Sequence, residues 1–215
     1  MKPESRFGSL LAEALWSAAW DLGIAASFLI TWIRPETFGE RTVHKLVFLM
    51  LLEFLVVHST GFFAAISSQS EKKRSRAFMF TLLLGFYILF SAAFSAMYGG
   101  PWPLIAFLLL ALPRIPGIVL HPPDEDTQFV MMANWAGMTC LYLGSIFVTL
   151  IYEVPALGVT PDVIAAQNFS VGGEWTDQPY RVMACGALYF TGLALLNLLM
   201  SLPGLWQARR AQPSG

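Results

Sequence analysis

The sequence predicts an all-α integral membrane protein, a polytopic bundle of six transmembrane helices with N- and C-termini cytoplasmic. Hydrophobic residues make up 56% of the chain and charged residues only 13%, with a mean hydropathy of +0.59, well outside the balance of a water-soluble domain. Apolar stretches recur at the length a membrane demands, because about 20 residues of helix cross the hydrocarbon and satisfy every backbone polar group internally. Basic residues gather in the connection 71–76 and near both termini, as expected of the cytoplasmic side.

Six segments meet the length, near 11–33, 43–66, 78–99, 102–121, 129–152 and 182–206. The connections are too short for a second folded unit, so residues 1–215 are expected to form a single transmembrane domain. The run Glu71-Lys72-Lys73-Arg74-Ser75-Arg76 is the strongest basic cluster and is assigned to the cytoplasm. An even number of spans then places Lys2 and Arg6 at one terminus, and Arg209 and Arg210 at the other, on that same side. The segment His121 to Asp126 is acidic where a basic loop is expected, which acidic residues tolerate because they contribute little to orientation. The first apolar stretch runs on past Asp21 to Trp32, too long for a cleavable signal peptide. A bacterial inner (cytoplasmic) membrane is the expected location.

The longest connection, 153–181, is expected outside, with Thr160-Pro161-Asp162 reading as an N-cap and first turn of a short helix that ends before Gly172-Gly173. It either covers the bundle as a lid or lies along the membrane surface, with Trp175 and Tyr180 at the headgroups. No correspondence between the first three and last three spans supports an inverted-repeat transporter. Ser91 and Ser95, and Ala136, Cys140 and Gly144, form small-residue faces suited to close helix packing, within one chain or in a homo-oligomer.

Chemistry is sought at ionisable residues inside the spans, each of which costs about 2.5–3.5 kcal/mol to insert. Asp21, Glu53, His58 and Arg114 are such residues. At about 1.5 Å rise per residue, Asp21, His58 and Arg114 lie roughly 10–15 Å from the cytoplasmic boundary, and Asn134 and Asn197 fall at similar depth. Glu53 is deeper and roughly 140° around the helix from His58, so the second span carries two polar faces. In Leu112-Pro113-Arg114-Ile115-Pro116-Gly117 two prolines remove backbone donors beside a cation, which predicts a broken helix. Asp21, Glu53, His58, Arg114, Asn134 and Asn197 are therefore the candidate ligand-binding set, for a small polar or anionic molecule or a lipid head group. The alternatives are an intramembrane enzyme using Glu53 and His58 as acid and base, and an assembly subunit whose charges are satisfied internally.

No metal site and no cofactor are expected. Cys140 and Cys185 have no ligand spacing, and Glu53 with His58 lacks a third strong ligand. His44 and His58, fourteen residues apart, lie on nearly one face and could each ligate a haem, but the opposite ligands would have to come from a second copy in a homodimer. The scattered basic residues and a net charge of -1 leave no footprint for nucleic acid, so the expected partners are membrane lipid and a small molecule.

Overall fold

A computed structural model describes residues 3–69, 73–97, 100–101, 103–105, 125–169 and 172–210. The described elements are all helical: α1 (Pro3–Ile33), α2 (Thr42–Gln69), α3 (Lys73–Met97), α4 (Glu125–Ile151), α5 (Pro161–Gln167), α6 (Glu174–Asp177) and α7 (Pro179–Arg210). Among the described residues five helices are long and apolar enough to cross a membrane, within 14–33, 42–59, 77–96, 128–151 and 179–202. They fall on five of the six expected spans. Of the span expected near 102–121 only 103–105 are described, as helix; Arg114, the break expected at Pro113 to Pro116 and His121 lie outside the described residues.

The first and last long helices exceed their apolar stretches, running from Pro3 and on to Arg210. Once a helix is nucleated, each added residue costs little, so hydropathy marks where the helix meets hydrocarbon and not where it ends.

The chain divides into two compact units. Unit 1 comprises 1–46, 141–167 and 173–215. Its backbone is the pair α1 and α7, which run against each other along their length. Among the described residues of α1 the buried positions are Ala14, Ala18, Asp21, Ala25, Phe28 and Thr31, in steps of four and three that place one narrow seam along the helix. Phe28 stacks on Phe190 with ring centroids 5.8 Å apart, and Tyr189 and Tyr142 extend this aromatic column at centroid spacings of 4.9 and 5.3 Å. Gly186 lies directly against the Phe28 ring, where a side chain would collide.

Unit 2 comprises 47–140 and 168–172. Phe48, Leu52 and Leu55 of α2 pack around Tyr87 of α3, and Phe94 meets Phe48 edge-on at 6.0 Å. The outer face of α3, with Phe78, Leu82, Phe86 and Leu89, is exposed and apolar except for Thr81, whose hydroxyl donates to the Ala77 carbonyl, the surface expected of a helix whose solvent is lipid.

The segment after α4 is held on the end of unit 1. Trp32 Nε1 donates to the Pro155 carbonyl at 2.8 Å, Gly158 N donates to the Trp32 carbonyl at 3.0 Å, and Val159 is fully buried. The short helix α5 begins where Thr160-Pro161 predicts, with Val163 N 3.5 Å from Thr160 Oγ1. Buried Gln167 accepts from His44 N at 3.0 Å through Oε1 and donates to the Val163 carbonyl at 3.2 Å through Nε2, so both ends of its amide are used. Gly173, at φ 154 and ψ 167, adopts a conformation open only to glycine and precedes α6, a turn of helix that the sequence reading did not anticipate.

Candidate functional site

The α1–α7 seam sets the geometry of a place where two of the candidate residues meet. Phe190 faces Phe28, and Asn197 faces Asp21: seven residues back along α1 correspond to seven residues on along α7. Seven residues are about two helical turns, so the same faces return to contact in an antiparallel pair. Asp21 is thereby carried into the seam, 8% exposed. Asn197 Nδ2 donates to Asp21 Oδ2 at 2.8 Å and lies 3.3 Å from Ser17 Oγ, one turn along α1. No second donor and no cation pairs with the Asp21 carboxyl among the described residues.

This small network is a carboxyl held by an amide, beside an exposed hydroxyl. Its chemical capacity is to accept: the carboxyl can take a further hydrogen-bond donor or a cation, while the Asn197 amide fixes which oxygen is left for it. Ser17 was absent from the candidate set. Its four-residue spacing from Asp21 is the signal that would have included it.

The remaining candidates belong to unit 2 or lie outside the described residues. His58 Nδ1 sits 3.0 Å from the carbonyl of Phe54 in its own helix, and its ring packs on the Phe54 ring at 4.0 Å. Trp135 Nε1 donates to the Val57 carbonyl at 3.0 Å, which brings α2 and α4 together. His58 and Asn134, each the neighbour of one partner in that bond, therefore share a level in unit 2. The Asn134 side-chain oxygen Oδ1 is buried and has no hydrogen-bond partner among the described residues. Glu53 is half-buried on α2.

His44, the other haem candidate, has Nδ1 2.9 Å from Arg41 Nη2, and since a guanidinium only donates, Nδ1 accepts there. Thus Nδ1 is engaged in both histidines. No group of three or more His, Cys, Asp or Glu that could hold a metal occurs among the described residues.

A residue outside the candidate set does much of the tying at the other end of unit 1. Arg181, in the first turn of α7, donates from Nη1 to the Thr149 carbonyl and reaches the Leu150 and Tyr152 carbonyls at 3.3 and 3.4 Å. Its Nε donates to Gln178 Oε1 at 2.7 Å and lies 3.6 Å from Glu174 Oε1. The last carbonyls of α4 have no intrahelical partner, and a cation there also meets the negative end of the helix dipole. Arg181 is thus a cap for α4 supplied by α7. Compared with known proteins, the chain matches no family model, no curated protein and no solved structure.

Proposed function

We propose that this chain is a six-span membrane protein that binds the polar head of a small molecule or lipid at the Asp21–Asn197–Ser17 site. The observation that carries the reading is the Asn197 to Asp21 hydrogen bond at 2.8 Å, which leaves the carboxyl with one donor and no cationic partner among the described residues. A carboxyl inside a membrane is costly unless it is fully satisfied, and a ligand that donates to it would relieve that cost. The cytoplasmic placement of both termini is supported by Lys72, Lys73, Arg74 and Arg76 at the junction of α2 and α3 together with the basic residues near the termini, and the location proposed with it is a bacterial inner membrane. Binding of an anion would rest on Arg114, and the acid–base alternative on Glu53 and His58.

A second reading, an assembly subunit without a ligand, is favoured by one observation: the Asn197 amide already satisfies one carboxyl oxygen. Native mass spectrometry of protein released from nanodiscs of mixed lipid separates the two. A bound molecule retained by the native chain and lost by both Asp21→Leu and Asn197→Leu supports the ligand site. Equal retention by all three proteins, each folded, sinks it and leaves the assembly subunit.

A further inference from the structure

We propose that the site at Asp21 takes the ammonium group of its ligand, a quaternary or primary ammonium head, with Trp16 and Trp20 as its aromatic walls; this rests on the reading of Asp21–Asn197 as a ligand site. The sign of the site comes first. Its groups are a carboxyl, an amide whose nitrogen is already spent on that carboxyl, and a hydroxyl; no basic side chain pairs with it among the described residues. Such a site has a place for positive charge and none for a phosphate or carboxylate.

The walls come next. Trp16 and Trp20 are 75% and 66% exposed, and each directly precedes one polar member of the site, Ser17 and Asp21. Four residues apart, the two indoles stand one above the other on the helix, on a stripe adjoining the one that carries Ser17 and Asp21. Indole is the strongest of the aromatic faces for a cation, and aromatic walls with a carboxylate form the usual surroundings of a bound quaternary ammonium. Tryptophan also favours the level where a membrane meets its headgroups, and Trp16 stands about 7 Å nearer the start of the span than Asp21, on the side from which a headgroup reaches in. Ser17, exposed between Trp16 and the buried carboxyl, leaves the approach to Asp21 lined by a hydroxyl rather than by a large apolar side chain.

The ammonium can come from a zwitterionic lipid or from a free molecule, and the test separates these sources. Full-length protein is placed in nanodiscs containing equal amounts of phosphatidylcholine, phosphatidylethanolamine and phosphatidylglycerol, and co-released lipid is counted by native mass spectrometry. A parallel arm titrates tetramethylammonium against the Trp fluorescence of the detergent-purified protein. The expected result is about tenfold enrichment of ammonium-bearing lipid over phosphatidylglycerol, or a saturable fluorescence response to tetramethylammonium where the ligand is free. Either signal should fall about tenfold in Asp21→Asn, which keeps the shape and the seam, and the lipid enrichment should also be weakened in Trp16→Leu with Trp20→Leu. Enrichment of phosphatidylglycerol that depends on Asp21 overturns the ammonium assignment and leaves the site standing. An ammonium signal that survives Asp21→Asn also overturns it, and no Asp21-dependent signal of any kind overturns the site itself.

Discussion

Trp135 lies so close against Gly61 that no side chain fits between them, and the indole N–H reaches the Val57 carbonyl at 3.0 Å. The helical pattern assigns that same carbonyl to the Gly61 N–H, so one oxygen serves both its own helix and α4. A methyl at position 61 must push the ring, and with it the shared hydrogen bond, away from α2. Gly61→Ala should therefore destabilise the fold by about 1–3 kcal/mol, the usual penalty of overpacking. Trp135→Phe keeps most of the ring but loses the donor, and should cost less, about 0.6 kcal/mol as is typical of a hydrogen bond between membrane helices. Unfolding in mixed micelles measures both. A Gly61→Ala protein as stable as the native chain would show that α2 and α4 can separate at no cost.

Asn197→Leu removes the donor and leaves the Asp21 carboxyl alone in the seam, which should cost about 1–3 kcal/mol. Replacing both residues by leucine removes the unmet polar group as well, so the double variant should be more stable than Asn197→Leu by itself. The coupling is read from a double-mutant cycle. Strictly additive effects would mean that the 2.8 Å contact contributes nothing to the fold.

Arg181 and Glu174 are the two halves of an ion pair but should respond differently to substitution. The Arg181 side chain is 19% exposed and tied to backbone carbonyls of α4, whereas the Glu174 side chain is 50% exposed and 3.6 Å away. Arg181→Met should cost about 1.5–3 kcal/mol by stripping charged hydrogen bonds from the end of α4. Glu174→Gln should change stability by less than about 1 kcal/mol, as exposed pairs do. Hydrogen exchange at the last turn of α4 should rise in the first variant alone. Equal effects of the two would assign the contribution to the ion pair and not to the cap.

Gly186 and Gly192 both face a neighbouring side chain, but only one neighbour can move. At Gly186 the obstacle is the ring of fully buried Phe28, while at Gly192 it is the tip of Leu141, with Cδ2 at 2.9 Å. An aromatic ring locked in a stacked column has no alternative rotamer, whereas a leucine can turn. Gly186→Ala should lower the midpoint of thermal unfolding clearly, and Gly192→Ala little. The reverse order would place the rigid point of unit 1 outside the aromatic column.

What the sequence discloses about this fold follows from which quantities a membrane fixes. Hydrocarbon thickness sets the length of an apolar run, so five spans fall on helices long and apolar enough to cross, while their starts, such as Pro3, are set by the chain and escape hydropathy. Depth is legible too, because rise per residue is constant: Asp21, His58, Arg114, Asn134 and Asn197 are expected at one level, and of these Asp21 and Asn197 touch. Direction around the axis is harder. His58 turns onto the carbonyl of Phe54 in its own helix, a choice that no spacing reveals. Arg181 and Gln167 escaped attention because they lie where the polypeptide leaves the expected spans, and their partners are backbone atoms, which carry no residue-specific signal.

The seam of Ala14, Ala18 and Ala25 is nearly uniform, and a smooth rail by itself would let α7 slide. A slip of one turn toward residue 193 would set a carboxyl against leucine, and only the native alignment presents an amide at that height. Asp21 thus acts as a polar indexing notch that, together with the fit of Phe28 against Gly186, selects during assembly one alignment of the first and last helices.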